Sequence, residues 1–558
     1  MHRRHKGPTA LSSPLMQRFL AGSKTYLREE DGVLAKPMIG TFLAMVAVGG
    51  IGVDLMRMER DRTMLQYTLD RAALAAADLD QEKLPDAVVL DYLSKSGLQE
   101  YYQAPWWEAG LGFKKVQATI DTTFPTHMLG FAGVDEMPLY ATSRAEESID
   151  GLEISLVLDV SGSMTRNSRL TNLQAAAKDF IDTMVANTTD GKMSISIVPY
   201  ATQVSVPEDL IGKYALDELH DDSYCVNFDG SDFNTTSLST TAPLEQTMHF
   251  SPWSSNDRRD NGDLVQSPVC VAASDSSRAI LPFQKDATAL KAFIDGLWGG
   301  GNTSIDIGMK WGTTLLDPSA RPAINALTAG PDASVPSDFS TRPSEYTDSD
   351  TVKVIVLMTD GQNTSQYYVE SDHREGDSYV WYTETSPGSG VYSTLRPSTG
   401  SYYWHNGGGW QDHPFGAGND TVCTNSYNGY CYGYTTESGT PVRLSYTDLF
   451  AQTPLKYLYK YIYADWMGTS SARSEWYYGV YDSYGNSEKN TRTRSICEAA
   501  KDQGIIVYTI GFEAPSNGVA VLQDCASSDS HYFDVQGLEI ADAFSSIATS
   551  IRQLRLTQ

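Results

Sequence analysis

Cysteine is scarce and unevenly placed, with six residues in 558 and none before position 225. No CxxC and no Cys/His zinc pattern occurs, which argues against a structural zinc module or a thiol redox centre. Basic residues are in deficit: 42 Lys and Arg face 69 Asp and Glu, a formal net charge of −27. That field repels nucleic acid and anionic membrane surfaces. The same acidity is what a solvated surface needs, so it identifies no function. Enzyme signatures are also missing. No Gly-Lys-Ser/Thr follows the Gly299–Gly301 run, as a phosphate-binding loop requires, and no serine occupies a nucleophile elbow. Long apolar runs are absent with one exception, Pro37 to Val53 (PMIGTFLAMVAVGGIGV).

That exception carries no charge, and its 17 residues reach the lower limit for a spanning helix. Lys36 can snorkel at one end, and Leu55 and Met56 can extend the other. The 36 residues before it are far longer than the charged start of a cleaved signal peptide, so an uncleaved anchor is expected. Flanking charge barely orients it, because Arg18, Lys24, Arg28 and Lys36 precede it while Arg57, Arg60, Arg62 and Arg71 follow. The cysteines decide instead. An even set in a long chain reads as three disulfides, and proximity along the chain favours Cys225–Cys270, Cys423–Cys431 and Cys497–Cys525 among 15 connectivities. Disulfides need an oxidising compartment, so the bulk of the chain is placed outside the cytoplasm.

Residues 1–36 read as a basic cytoplasmic tail and 37–56 as the transmembrane anchor. Residues 57–150 read as a membrane-proximal helix followed by a small β segment. Asp54 to Ala77 lacks Gly and Pro and is rich in Leu, Ala, Met and Arg, so a helix continues out of the anchor. Between Val116 and Ser148, β-branched residues broken by Pro125 and Gly130 suggest strands. From Leu152 strands and helices alternate. Ile154–Asp159, Met193–Val198, Val352–Met358 and Ile505–Ile510 are nearly all apolar, as strands buried on both faces must be. Leu170–Val185 places Leu170, Leu173, Ala177, Phe180, Ile181 and Met184 on one helical face. Leu290–Leu297 and Ile305–Leu316 read as helices. Leu538–Leu554 closes the chain with Leu538, Phe544, Ile547, Ile551 and Leu554 at helical spacing. The natural solution is an α/β fold with a doubly wound, mostly parallel sheet over 151–558.

Two stretches interrupt this order. Residues 204–285 and 362–490 are loop-like, rich in Ser, Asp, Asn, Gly, Pro and Tyr, and each contains one proposed cysteine pair. The second holds 20 of the 32 tyrosines, with Trp381, Trp404, Trp410, Trp466 and Trp476. Such aromatics suit either a contact surface for protein or glycan, or the core of a small accessory subdomain. His373, His405 and His413 read as surface residues.

Two of the buried strands end in aspartate followed by small residues: ISLVLD-VSGSM at Asp159 and VIVLMT-DGQNT at Asp360. In a parallel sheet both carboxylates emerge at the carboxyl edge, where open α/β folds build their sites. Ser161 and Ser163 stand in the turn after Asp159. The Gly299–Thr303 loop can bring the Thr303 hydroxyl to the same edge, with Ser304 as the alternative. Two carboxylates and three neutral hydroxyls suit a hard cation such as Mg²⁺. An ion so held keeps much of its charge and attracts a partner's carboxylate into an open position. A phosphatase of the haloacid-dehalogenase type would need a second acid where this chain has Ser161.

Asp159-Val160-Ser161-Gly162-Ser163, with Thr303 and Thr359-Asp360-Gly361, resembles the metal-ion-dependent adhesion site of von Willebrand factor A domains. The resemblance implies that Ser161, Ser163 and Thr303 ligate Mg²⁺ (or Mn²⁺ or Ca²⁺) directly, and that Asp159 and Asp360 act largely through water. Further segments are similar to TadG-like proteins of Flp (tight-adherence) pilus assembly: Leu65-Gln66…Asp70-Arg71-Ala72-Ala73-Leu74, Gly308-Met309-Lys310-Trp311-Gly312, Leu315-Leu316-Asp317-Pro318, the Cys497…Cys525 segment around Tyr508-Thr509-Ile510-Gly511-Phe512, and Leu554-Arg555-Leu556-Thr557. Pilin-like members carry a glutamate five residues after a cleavage glycine, where Gly40 here is followed by Met45, so the full anchor is expected to be retained. The resemblance implies a single-pass protein of the bacterial inner membrane, its bulk periplasmic. It would be no enzyme but a metal-dependent binder of acidic pilus-assembly or envelope partners. The alternatives are a free-standing surface adhesin of the same fold and a metal-dependent hydrolase.

Overall fold

The computed structural model describes residues 35–78, 81, 83–110, 113–148, 151–331, 333–348 and 350–554. All of the basic tail except its last two residues, and the ending Arg555-Leu556-Thr557, lie outside the described residues. The chain divides into two compact units, the first ending in sequence at Ser148.

In the first unit, the apolar run and the Ala-rich stretch after it form one unbroken helix, α1 (Ala35–Ala77). At 1.5 Å per residue its 43 residues reach about 65 Å. Its two halves face different surroundings. Leu65, Leu69, Ala72, Ala73 and Ala76 are fully buried against α2 (Pro85–Lys95) and a three-stranded sheet, β1 (Trp106–Gly110), β2 (Phe113–Pro125) and β3 (Glu136–Ser148). β2 and β3 pair antiparallel along their whole length. Only 11% of the most apolar window of α1 is buried, and Met38, Phe42, Leu43, Met45 and Val48 stand exposed. A helix long and apolar enough to cross a membrane, and uncovered by protein, fits a membrane-anchored chain. The uncovered stretch gives way to packing at Asp54, whose buried carboxylate accepts the backbone N–H groups of His127, Met128 and Leu129 at 2.6–3.0 Å.

The second unit is built on a six-stranded sheet. It contains β4 (Gly151–Asp159), β5 (Met193–Tyr200), β6 (Leu281–Gln284), β7 (Thr351–Thr359), β8 (Ile506–Phe512) and β9 (Tyr532–Val535), in spatial order β9-β8-β7-β4-β5-β6. All neighbours run parallel except β6, which is antiparallel to β5. Every residue of β4 and β5 is buried, which explains their near-continuous apolar sequences. Helices cover both faces. On one lie α3 (Arg169–Ala186), α4 (Ala287–Gly296) and α8 (Glu539–Leu554). On the other lie α5 (Ile305–Thr314), α6 (Asn486–Asp502) and α7 (Ser516–Cys525). The face of α3 is the one read from sequence, with Leu173, Ala177, Phe180, Ile181 and Met184 buried. At the chain end Leu538 departs from expectation. It precedes α8 and is 77% exposed, while Ile540 takes the core position. The side chain of Leu554 is outside the described residues.

The two intervals read as loop-like are folded. β6, at the end of the first, supplies the sheet's antiparallel edge, a strand too short to show periodicity. Within the second, segments 409–411, 401–404, 389–396, 377–386 and 442–445 form an antiparallel sheet in that order. Met248, Phe250 and Val269 of the first interval share one core with Val380, Leu444, Phe450, Tyr463 and Trp476 of the second. Tyr463 and Trp476 stack with ring centroids 3.9 Å apart. Most of the aromatic excess is therefore subdomain core. The most exposed aromatics are on the hairpin 421–436, where Tyr427, Tyr430, Tyr432 and Tyr434 are each 67–72% exposed, and Trp410, Tyr461 and Tyr478 are exposed as well. His405 is also inside, with a side chain only 6% exposed and bonded to the Thr394 hydroxyl, because this aromatic core encloses it. The three disulfides Cys225–Cys270, Cys423–Cys431 and Cys497–Cys525 are formed as proximity suggested.

Candidate metal centre

β4 and β7 are adjacent and parallel, so their final residues deliver Asp159 and Asp360 to the same edge of the sheet. Asp159 is fully buried. Its Oδ1 accepts the Ser161 backbone N–H at 2.7 Å, and its Oδ2 accepts the Thr359 hydroxyl at 2.6 Å. The first bond curls the chain back after the strand, so Ser161 and Ser163 face the acid. Their hydroxyl oxygens are 3.0 Å apart, and Ser163 donates to Asp360 Oδ1 at 2.6 Å. Side chains separated by 197 residues are thus joined in one hydrogen-bonded row.

The third contributor is the loop between α4 and α5. Gly162 N–H donates to the Gly301 carbonyl at 3.0 Å, and Gly300 N–H to the Val160 carbonyl at 2.9 Å. Such proximity needs glycine. A Cβ on Gly299 would stand 2.7 Å from Thr165 Cγ2, and Gly301 adopts φ +84° with a Cβ site 2.7 Å from the Thr202 hydroxyl. The loop carries Thr303 to the edge, its Oγ1 3.9 Å from the Cβ site of Gly361. Thr303 is pinned on both sides. Its N–H donates to Thr364 Oγ1, and its carbonyl accepts from Thr364 N and from the Lys489 ammonium at 2.9 Å. The neighbouring Ser304 hydroxyl is committed to the Thr202 carbonyl and Lys489.

Three residues here escaped sequence reading. Arg169, in the first turn of α3, donates to Asp360 Oδ2 at 2.6 Å and to Glu513 at 2.9 Å. Glu513 follows β8 at the same edge, and the Arg169 guanidinium holds its carboxyl below the usual range. Lys489 is completely buried in α6, 3.8 Å from the equally buried Asp306, an ion pair without a hydrogen bond. A lone polar residue inside a helix gives no periodic signal. Only the position of Glu513, just beyond an apolar strand, resembled the pattern that singled out Asp159 and Asp360.

Electrostatically the rim favours a cation. Burial, and then the charge of Asp360, push the Asp159 carboxyl up to about 7. A divalent ion beside it would offset both effects, and Asp159, Ser161, Ser163 and Asp360 all offer oxygen, the donor a hard cation takes, with the Arg169 guanidinium bound to Asp360 Oδ2. The residues present fit the ion. A second cluster, His413, Asp420 and Glu437, brings potential ligand atoms within 4.8 Å of one another. The Glu437 oxygens there already accept His413 and the backbone N–H groups of Gly416, Gly418 and Asp420, the arrangement of a loop clamp.

Residues 32–79 match the family model described as putative Flp pilus-assembly TadE/G-like. The matched segment contains all of α1, the exposed apolar half together with the Ala-rich half that packs on the small sheet. No curated protein matches the chain. Among solved structures, the von Willebrand factor domain of the type V pili tip protein Mfa5 from Porphyromonas gingivalis is 14% identical with a TM-score of 0.30, over 72% of this chain and 95% of that one. The pilus adhesin SpaC from Lactobacillus rhamnosus GG is 12% identical with a TM-score of 0.28, over 81% of this chain and 33% of that one. Proximal thread matrix protein 1 from the mussel byssus, in a form with a zinc-occupied MIDAS motif, is 11% identical with a TM-score of 0.25, over 73% of this chain and 46% of that one. Likeness at this level transfers no site residue to this chain.

Proposed function

We propose that the protein is a membrane-anchored, cation-dependent binding component of Flp/Tad pilus assembly or envelope adhesion. In this reading α1 crosses the bacterial inner membrane and the disulfide-bonded unit works in the periplasm. That unit is a von Willebrand factor A-like domain carrying two insertions. The observation that carries the reading is the hydrogen-bonded row from Asp159 through Ser161 and Ser163 to Asp360, flanked by Thr303. Ser161, Ser163 and Thr303 would hold Mg²⁺, with Asp159 and Asp360 behind them. The ion supplies an electrophilic position for a carboxylate of the partner.

This chain's own residues do the rest. Asp159 and Thr359 fix the turn that presents the two serines. Lys489 fixes Thr303 through its carbonyl. Arg169 shares Asp360 with Ser163, so it limits the negative charge at the rim and leaves the ion more of its own. The TadE/G-like segment and the uncovered apolar helix support the membrane and pilus part of the reading.

Calorimetric titration of the full chain in detergent with Mg²⁺ and Mn²⁺ tests it. Asp159→Ala with Ser161→Ala should abolish ion binding and chelator-sensitive capture of envelope partners while the far-ultraviolet circular dichroism stays unchanged. Undiminished ion binding by the double variant refutes the site.

A further inference from the structure

The loop that carries Thr303 has a second side. There Gly300, Gly301 and Asn302 border a cavity of about 500 Å³ between the sheet edge and the first insertion. Val265, Val269, Val271, Trp253 and Trp298 supply the apolar part of its wall, and the Asp275 carboxylate lines it as well. A buried cation stands in the same wall. Arg278 is 5% exposed, lines the cavity, and lies 4.4 Å from the Trp298 ring centroid. Of its five N–H donors one is taken by the Gly300 carbonyl at 3.2 Å. Among the described residues no carboxylate reaches ion-pair distance of it. The nearby Asp275 is already engaged: its Oδ1 accepts the backbone and hydroxyl of Ser277, and its Oδ2 accepts the Trp298 indole N–H at 2.9 Å. Burial accordingly lowers the Arg278 pKa to about 10, against the weaker pulls of Asp275 and Asp159. A guanidinium held this deep without an anion is costly unless something supplies one.

We propose that this cavity is a recognition pocket for an acidic side chain of a partner polypeptide, with Arg278 binding the carboxylate and the valine and tryptophan walls taking the apolar residue beside it. The proposal deepens, and rests on, the reading of this rim as a protein-binding edge. It gives the partner a sequence character, an acid next to an aliphatic residue. Arg278 covers a face of Trp298 and so closes it to sugar stacking, and a guanidinium beside valine side chains suits a carboxylate with an aliphatic neighbour, so a peptide is favoured over a glycan. Because cavity and candidate ion site share the Gly299–Thr303 loop, one partner segment can reach both.

The test uses full-length protein in detergent and a blocked tripeptide with leucine on each side of a central aspartate. The same peptide with asparagine at the centre is the control, and binding is followed by saturation-transfer NMR and calorimetry. The aspartate peptide should bind at least about tenfold more tightly than the asparagine one, the worth of a charge-assisted hydrogen bond. Arg278→Gln, which keeps a donor for Gly300, should erase that preference, and Trp298→Ala, at an exposed position, should weaken both peptides. The aspartate preference should survive excess chelator. Equal binding of the two peptides, no binding of either, or an unchanged preference in Arg278→Gln overturns the pocket. Loss of the preference in chelator assigns the carboxylate to the cation, which overturns the pocket while leaving the ion site standing.

Discussion

Replacing Asp159 by asparagine should stabilise the cation-free protein and abolish its response to Mg²⁺. Asp159 is fully buried, and its carboxyl is pushed up to about 7 from 3.8, by burial first and Asp360 second. A raised folded-state pKa means the folded chain binds the proton more tightly than the unfolded one, so stability is lost as pH rises from about 4 through 7. At pH 8 the shift corresponds to about 4 kcal/mol of penalty on the ionised group. Asparagine removes that penalty. It costs about 1–2 kcal/mol in hydrogen-bond mismatch, because Thr359 must turn its hydroxyl to accept where it now donates. The net expectation is about 2 kcal/mol of stabilisation in chelator at pH 8, narrowing towards pH 5. Saturating Mg²⁺ reverses the order, since an ion at one hundred times its Kd adds about 2.7 kcal/mol to the wild type alone. Scanning calorimetry of the full chain in detergent, with chelator and with Mg²⁺ at both pH values, reads all four states. A variant less stable than wild type in chelator at pH 8, or stabilised by Mg²⁺ to the same extent, refutes the reasoning.

Lys489→Met should lower ion affinity about 10–100-fold, because the Thr303 and Thr364 carbonyls lose the ammonium between them, and should cost about 3–5 kcal/mol by leaving Asp306 unpaired. Adding Asp306→Asn should recover most of the stability and none of the affinity, as denaturant unfolding and titration will report. His249 and His405 are both held down to about 3 by burial, below the ordinary 6.5, so each contributes stability that is present above pH 6.5 and lost on acidification towards pH 3. Hydrogen exchange at pH 4.5 should therefore find the shared core of the insertions opening before β4 and β7, and His405→Gln should reduce that difference. Paired Cys→Ala replacement at Cys225 and Cys270 should cost about 4 kcal/mol, and at Cys423 and Cys431 about 2.5 kcal/mol, from loop separations of 45 and 8 residues. Equal losses on calorimetry would contradict the loop-entropy account.

Asp159 and Asp360 were legible because each ends a run of apolar residues that only a doubly covered strand tolerates, and parallel pairing puts both ends on one edge. The disulfides were legible because their partners are near in sequence. What could not be read depended on contacts between distant, unpatterned segments. Arg169, Glu513 and Lys489 are single polar residues whose roles exist only once α3, β8 and α6 have packed. The shared core of the insertions gathers Phe250, Phe450 and Trp476 into one cluster, and no local periodicity announces such a union. Leu538 followed the helical spacing yet lies one residue before α8 begins, where the chain is still outside the helix. Arg278 had no signal at all. Its significance comes from the cavity around it, not from its neighbours in the chain.

A crystal of the protein grown with Mn²⁺ and measured at the manganese absorption edge would locate the ion itself. One strong anomalous peak is expected within coordination distance of the Ser161, Ser163 and Thr303 hydroxyls, lost in Asp159→Ala with Ser161→Ala. A map without a peak at that rim, or with its main peak at His413, Asp420 and Glu437, contradicts the proposed ion site.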